Sequence, residues 1–169
     1  MGNEPSPHLL RAVASLLLNT IALDPNRWTA EKRPYVKLED MLEANRIVLE
    51  QLEAKRRGPQ PDGNRIEGRV EIGEGAEIVD SLIRGPVVIG AGARIEHAFV
   101  GPYTSIGDGC VLERCEIENS IVLAGSEIRR ISTRIDGSLI GRNAQIKQTD
   151  LKPKAYRFML GDNSAVEMP

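Results

Sequence analysis

From Ile66 to Ile117 aliphatic residues return every seventeen positions, and no other feature of the chain narrows its fold so sharply. Ile66, Ile83, Val100 and Ile117 form one series, Ile72, Ile89 and Ile106 a second, and Ile78, Ile95 and Leu112 a third. Gly73, Gly90 and Gly107 keep the same period, as do Gly75, Gly92 and Gly109. A unit made of six, six and five residues is too short for a helix pair. It fits one coil of a parallel β-helix with three short sides, each side sending one aliphatic residue inward. Corners then take Gly, Asn, Asp or Ser, where the backbone must turn.

Stacked coils lie ~4.8 Å apart, so about five coils between Ile66 and Leu151 make a prism on the order of 24 Å long. Aromatic residues are only 4% of the chain, so the core must be aliphatic. Each buried Ile contributes roughly 1.5–3 kcal/mol, which makes the Ile columns the dominant stabilising term. The period slips once, after Val122, and the segment Arg129 to Arg134 reads as a bulge or loop leaving the prism.

Ahead of the repeat the periodicity is helical. Ser6 and Pro7 cap a first helix whose apolar face holds Leu9, Leu10, Val13, Leu16, Leu17 and Ile21, and Asp24-Pro25 ends it. A second helix is expected from Leu38 to about Arg57, with Leu38, Met41, Leu42, Val48, Leu49 and Leu52 as its stripe. Glu39 and Asp40 open it, Lys55, Arg56 and Arg57 close it, and Gly58-Pro59 follows, the order that the helix dipole favours. The predicted organisation is therefore a helical segment over 1–58, a β-helix over 59–151 and a C-terminal cap over 152–169. In that cap Tyr156, Phe158 and the hexad-like LGDNSAV from Leu160 to Val166 cover the open end.

A formal charge of -2 offers no electrostatic case for nucleic acid or an anionic membrane. The longest weakly polar stretch, Ala12 to Leu23, is interrupted by Ser15, Asn19 and Thr20, so no membrane span is predicted. The N-terminus shows no secretory leader, and a cytoplasmic setting is expected. Cys110 and Cys115 stand without a Cys/His cluster and read as buried thiols rather than as a zinc site or a disulfide framework.

The repeated Gly-x-Gly pairs lack the third glycine and opening helix of a dinucleotide site, and no Gly-Lys-Ser/Thr closes a phosphate loop, so they read as corner glycines. Hexad β-helices include acyltransferases and a family of carbonic anhydrases. Two histidines cannot supply the three imidazoles that the latter needs for its metal. An acyltransferase would need a general base, and His97, beside Glu96, is the lone candidate inside the coils. Arg129, Arg130, Arg134, Lys147, Lys152, Lys154 and Arg157 give the C-terminal end a basic bias that could meet the phosphates of a sugar nucleotide, although solvated charge is the commoner meaning.

The non-repeat words GPYTSIGDG and YRFMLGDNS, together with the coil sequence around them, resemble the C-terminal region of long-form glucose-1-phosphate thymidylyltransferases, which are sugar-nucleotide pyrophosphorylases with an added left-handed β-helix. The resemblance covers about residues 65 to 167. KLEDMLEANRIVLE is similar to the helix that joins that family's catalytic domain to its β-helix. The left hand of the coil is implied by the resemblance alone, since parallel crossovers are otherwise overwhelmingly right-handed.

The family's Gly-x-Gly-Thr-Arg-Leu loop does not occur here, and fewer than forty residues precede the joining helix, too few for a nucleotide-binding domain. Where the family usually carries Asp-Thr-Gly-Lys, with an aspartate for magnesium, this chain has Pro34, Tyr35, Val36 and Lys37. No catalytic, cofactor-binding or metal residue carries over. The reading is a non-catalytic module for oligomerisation or regulation, forming a homo-oligomer. Two alternatives remain open: an acyltransferase using His97, and an accessory subunit working with a separate nucleotidyltransferase catalytic chain.

Overall fold

The computed structural model describes residues 37–52, 63–150, 152–161 and 164–169. The first expected helix and the Lys55 to Pro59 terminator lie outside the described residues.

Fourteen short strands, all paired in parallel, wind into a three-faced solenoid of about five turns. Face one stacks β1 (Arg65–Glu67), β4 (Leu82–Arg84), β7 (Phe99–Val100) and β10 (Glu116–Ile117). Face two stacks β2 (Val70–Ile72), β5 (Val87–Ile89), β8 (Thr104–Ile106), β11 (Ile121–Val122) and β13 (Leu139–Ile140). Face three stacks β3 (Glu77–Val79), β6 (Arg94–Glu96), β9 (Val111–Glu113), β12 (Glu127–Arg129) and β14 (Gln145–Lys147).

The register is the one the period predicts. Ile66 lies against Ile83, Ile83 against Val100, and Ile117 bridges to Ile135. Ile72, Ile89, Ile106, Val122 and Ile140 stack on face two, and Ile78, Ile95, Leu112, Ile128 and Ile146 on face three. Ile83, Ile89, Ile95, Ile106, Ile117 and Ile128 are completely buried. One slip of a strand by a single residue would turn these columns to solvent, which is why the pattern specifies register so strongly.

Each turn of the chain passes three corners, and two of the three hold a left-handed residue in coil after coil. Asp80, His97, Arg114 and Arg130 occupy one, with φ between 43 and 56°. Gly75, Gly92, Gly109, Gly125 and Asn143 occupy another. The two glycines of each Gly-x-Gly pair therefore have different causes. A Cβ on Gly90 would sit 2.5 Å from backbone atoms of Gly107 and Asp108 in the next coil, whereas a Cβ on Gly92 would meet nothing but must accept φ 63°. The first glycine permits close approach and the second permits the turn.

The small positions beside the corners hold the thiols. Ala93, Cys110 and Ser126 follow one another in one column, and Ser81, Ala98 and Cys115 in another, all buried. Burial pushes Cys110 up, and pushes Cys115 up to about 12.

One expectation needs correction and a second needs narrowing. The helix α1 runs Leu38–Glu50 and stops well short of Arg57. Gln51 and Leu52 donate to the carbonyls of Val48 and Leu49 at 3.1 and 3.2 Å, which tightens the last turn. The guanidinium of Arg69 donates to the Glu50 carbonyl, so that terminal acceptor is satisfied from the solenoid instead of by further helix.

The bulge expected over Arg129 to Arg134 is smaller than that range, for past the Arg130 corner only Ser132 to Arg134 are exposed and outside any strand. Arg129 belongs to β12, and Arg130 is a corner residue whose N–H donates to Glu113 O at 2.8 Å. Ile131 is half-buried against the core. Arg134 folds back to Glu116 at 3.1 Å and Glu118 at 2.9 Å, with its guanidinium 5.3 Å from the Phe99 ring centre. Ile131 anchors the bulge on the core, and the exposed Arg134 ties its far end to Glu116 and Glu118 of the preceding coil.

Candidate functional site

The most structured polar site is the seam between α1 and face two. Along face two the residues between inward positions form an outer column, Glu71, Val88, Ser105, Ile121 and Leu139, in direct register. Val88 and Ile121 are only 4% and 5% exposed, yet neither belongs to the solenoid core. Leu49 of α1, 1% exposed, stands outside that core in the same way. Between Val88 and Ile121 in that column stands Ser105, where α1 is fastened to the sheet, and the stripe Met41, Leu42, Val48, Leu49 gives the helix an apolar side.

At the centre of the stripe is a polar residue. Asn45 is 2% exposed, its Nδ2 donates to the Tyr103 carbonyl at 2.9 Å, and its Oδ1 accepts from Ser105 Oγ at 2.6 Å. A buried amide left unpaired would cost about 1–3 kcal/mol, so the helix is held to one register in which both bonds form. Around it, Arg46 sits 4.8 Å over the Tyr103 ring and pairs with Glu50 at 3.4 Å, contacts exposed enough to add little. Tyr103 can present both its carbonyl and its ring because it holds φ 60° at a corner. Sequence reasoning missed Asn45; the available signal was an amide three and four residues from Leu42, Met41, Val48 and Leu49, inside an otherwise apolar stripe.

His97 stands at a corner, about half exposed, with Nδ1 3.7 Å from Asp80 Oδ2. The carboxylate beside it is therefore the residue seventeen positions earlier, one coil down, and not the adjacent Glu96. Glu96 instead pairs with Arg94, whose hydrogen bond is the main cause holding its carboxyl below the usual range. The repeat itself was the signal for Asp80, since residues one period apart stack.

The basic bias dissolves into ion pairs over much of its extent. Arg129 pairs with Glu113 at 2.9 Å and with Glu127 at 3.2 Å, Arg130 approaches Glu113 at 3.7 Å, and Arg134 is bound as above. Lys147, Lys152, Lys154 and Arg157 are exposed. Among the described residues no three His, Cys, Asp or Glu side chains converge as metal ligands. No helix of the described residues is long and apolar enough to cross a membrane. Of the tetrad ahead of α1, Lys37 alone is described, as the residue preceding the helix.

The family described as the GMPPB C-terminal domain matches residues 83–151, the heart of the solenoid. The chain is related to the C-terminal region of the sugar nucleotidyltransferases. It is 50% identical over 129 residues to a glucose-1-phosphate thymidylyltransferase of Streptomyces antibioticus, and 45% identical over the same length to that of Streptomyces griseus. Each of these alignments takes in 76% of this chain and 36% of the relative. The low-salt glycan biosynthesis nucleotidyltransferase Agl11 of Haloferax volcanii is 41% identical over 160 residues, 93% of this chain and 44% of that protein. The chain thus spans well under half the length of these nucleotidyltransferase relatives.

Proposed function

We propose that the chain is a non-catalytic β-helix module of a glucose-1-phosphate thymidylyltransferase-like nucleotidyltransferase, acting in oligomerisation or regulation in the cytoplasm. The observation that carries this reading is the seam at Asn45. A helix fastened to a stiff coil stack by two buried hydrogen bonds transmits position, because it cannot slide without breaking both. The residues around it are suited to holding and not to phosphoryl chemistry, which requires a cradle for two polyanions and charge compensation on the transferred group.

The test is pyrophosphate release from glucose 1-phosphate with thymidine or uridine triphosphate and magnesium, with sedimentation of the same sample at micromolar concentration. The expected result is an oligomer without turnover. Turnover by the chain alone, abolished by a substitution within it, overturns the reading. Turnover only after a separate catalytic chain is added favours the accessory-subunit alternative. The acyltransferase alternative has the Asp80–His97 pair in its favour, but 3.7 Å exceeds hydrogen-bond reach, and binding of acyl-coenzyme A is the observation that would promote it.

A further inference from the structure

One seven-residue word is written six times along the chain. It runs Ile72 to Ile78, Ile89 to Ile95, Ile106 to Leu112, Val122 to Ile128, Ile140 to Ile146, and again Leu160 to Val166. In the first five copies the outer residues are the inward positions of faces two and three, and the fifth is a small residue beside the corner: Ala76, Ala93, Cys110, Ser126 and Ala144. Leu160, Ser164 and Val166 repeat that order, and Gly161 stands where Gly141 does. Such a word is apolar at the two positions that need a solenoid core beneath them.

It lacks that core in the described structure. Every described residue from 152 onward is exposed, with Leu160 at 55% and Val166 at 49%, and no strand forms there. The last coil is open at the same time. β13 and β14 are the end strands of their faces, and Ala144 and Ile146 are only half-buried above the filled columns. The end strands present unpaired backbone groups, a ready template for another strand. Donor and acceptor of one kind of turn are therefore both unfilled in a single chain.

We propose that the open last coil seats the C-terminal word of a second copy of this chain, with Leu160 over Ile140, Ser164 over Ala144 and Val166 over Ile146. Faces two and three each gain a parallel strand, and the columns are closed. This rests on the homo-oligomer of the proposed function and gives it a surface. The linker permits it: fourteen positions separate Ile146 from Leu160, whereas ten to twelve carry the chain from face three to face two between Leu112 and Val122, Ile95 and Ile106, or Ile128 and Ile140. The surplus lets the word reach past its own end, and exchange of an identical element is a low-cost route to association.

Cross-linking tests the register. Adjacent coils lie ~4.8 Å apart, within the Cα separation a disulfide spans. The chains Ala144→Cys and Ser164→Cys, co-expressed and mildly oxidised, should give a species of twice the chain mass on a non-reducing gel that neither variant gives alone. The buried native thiols do not compete. The double variant A144C/S164C should likewise give linked pairs. An internally bridged monomer from the double variant, with no pair from the mixture, overturns the proposal by showing that the word folds onto its own end. No cross-link from either preparation overturns it also. Should sedimentation still show an oligomer in that case, the proposed function stands and a different surface joins the copies.

Discussion

Ser105 on β8 donates its hydroxyl hydrogen to Oδ1 of Asn45 on α1 at 2.6 Å, across sixty positions of sequence. The amide then has both its ends bonded, since Nδ2 reaches the Tyr103 carbonyl. Removing the side chain leaves a donor and an acceptor to find water inside a closed seam.

Asn45→Ala should therefore lower unfolding stability by about 1–3 kcal/mol. Hydrogen exchange should rise most at the amides of α1, because the seam is the local fastening. The double change N45A/S105A should cost less than the sum of the two single changes, since the residues share one bond. Additive costs measured by denaturant titration would show that the two side chains act independently.

The core columns predict a harsher outcome. Ile106 is completely buried in the middle of face two. Ile106→Asp should cost several kcal/mol, because a carboxylate there has no partner and no water. Its melting transition should be lost or strongly lowered, and a variant that melts like the parent would contradict the register.

Glycine substitutions should separate the two roles of the Gly-x-Gly pairs. Gly92→Asn should change stability by no more than about 0.5 kcal/mol, since Asn tolerates the left-handed region and Asn143 already holds the same corner three coils further on. Gly90→Ala should cost roughly 1–3 kcal/mol, because its Cβ would lie 2.5 Å from backbone atoms of Gly107 and Asp108, which cannot move aside as the nearby Asp108 carboxylate could. Equal thermal shifts for the two variants would refute this division.

The buried thiol gives a pH prediction with a definite sign. Cys115 is held up to about 12 by burial, against an ordinary value of 9.0. Between those values the unfolded chain has released the proton and the folded chain keeps it, so unfolding is favoured as pH rises. Below pH 9 the contribution is fully present. Cys115→Ala, which copies Ala98 in the same column, should lose less stability than the parent between pH 9 and 12. Parallel stability curves for the two proteins would exclude the effect.

Reading the sequence located the columns Ile66 to Ile117, Ile72 to Ile106 and Ile78 to Leu112 with the register they adopt. It also placed the cysteines inside. It misjudged the end of α1, which Arg69 terminates by bonding the Glu50 carbonyl from nineteen residues away. It placed a bulge at Arg129 to Arg134, of which Ser132 to Arg134 are exposed and outside any strand. The slip in the period located that bulge, but not that Ile131 reaches the core or that Arg134 finds two glutamates on the preceding coil.

In a solenoid each coil touches only its neighbours, so every core contact repeats at one fixed separation and periodicity alone reveals it. That is how far the amino-acid order by itself determined the protein: the coils, their inward residues and the glycine corners. The tertiary structure decided where α1 lies, which residues bond Asn45, and that Asp80 is the carboxylate beside His97. Asn45 meets Tyr103 and Ser105 at separations of 58 and 60 residues that belong to no period. A hydrogen bond of that kind depends on the direction of one donor and one acceptor in space, a property that no spacing of apolar residues encodes.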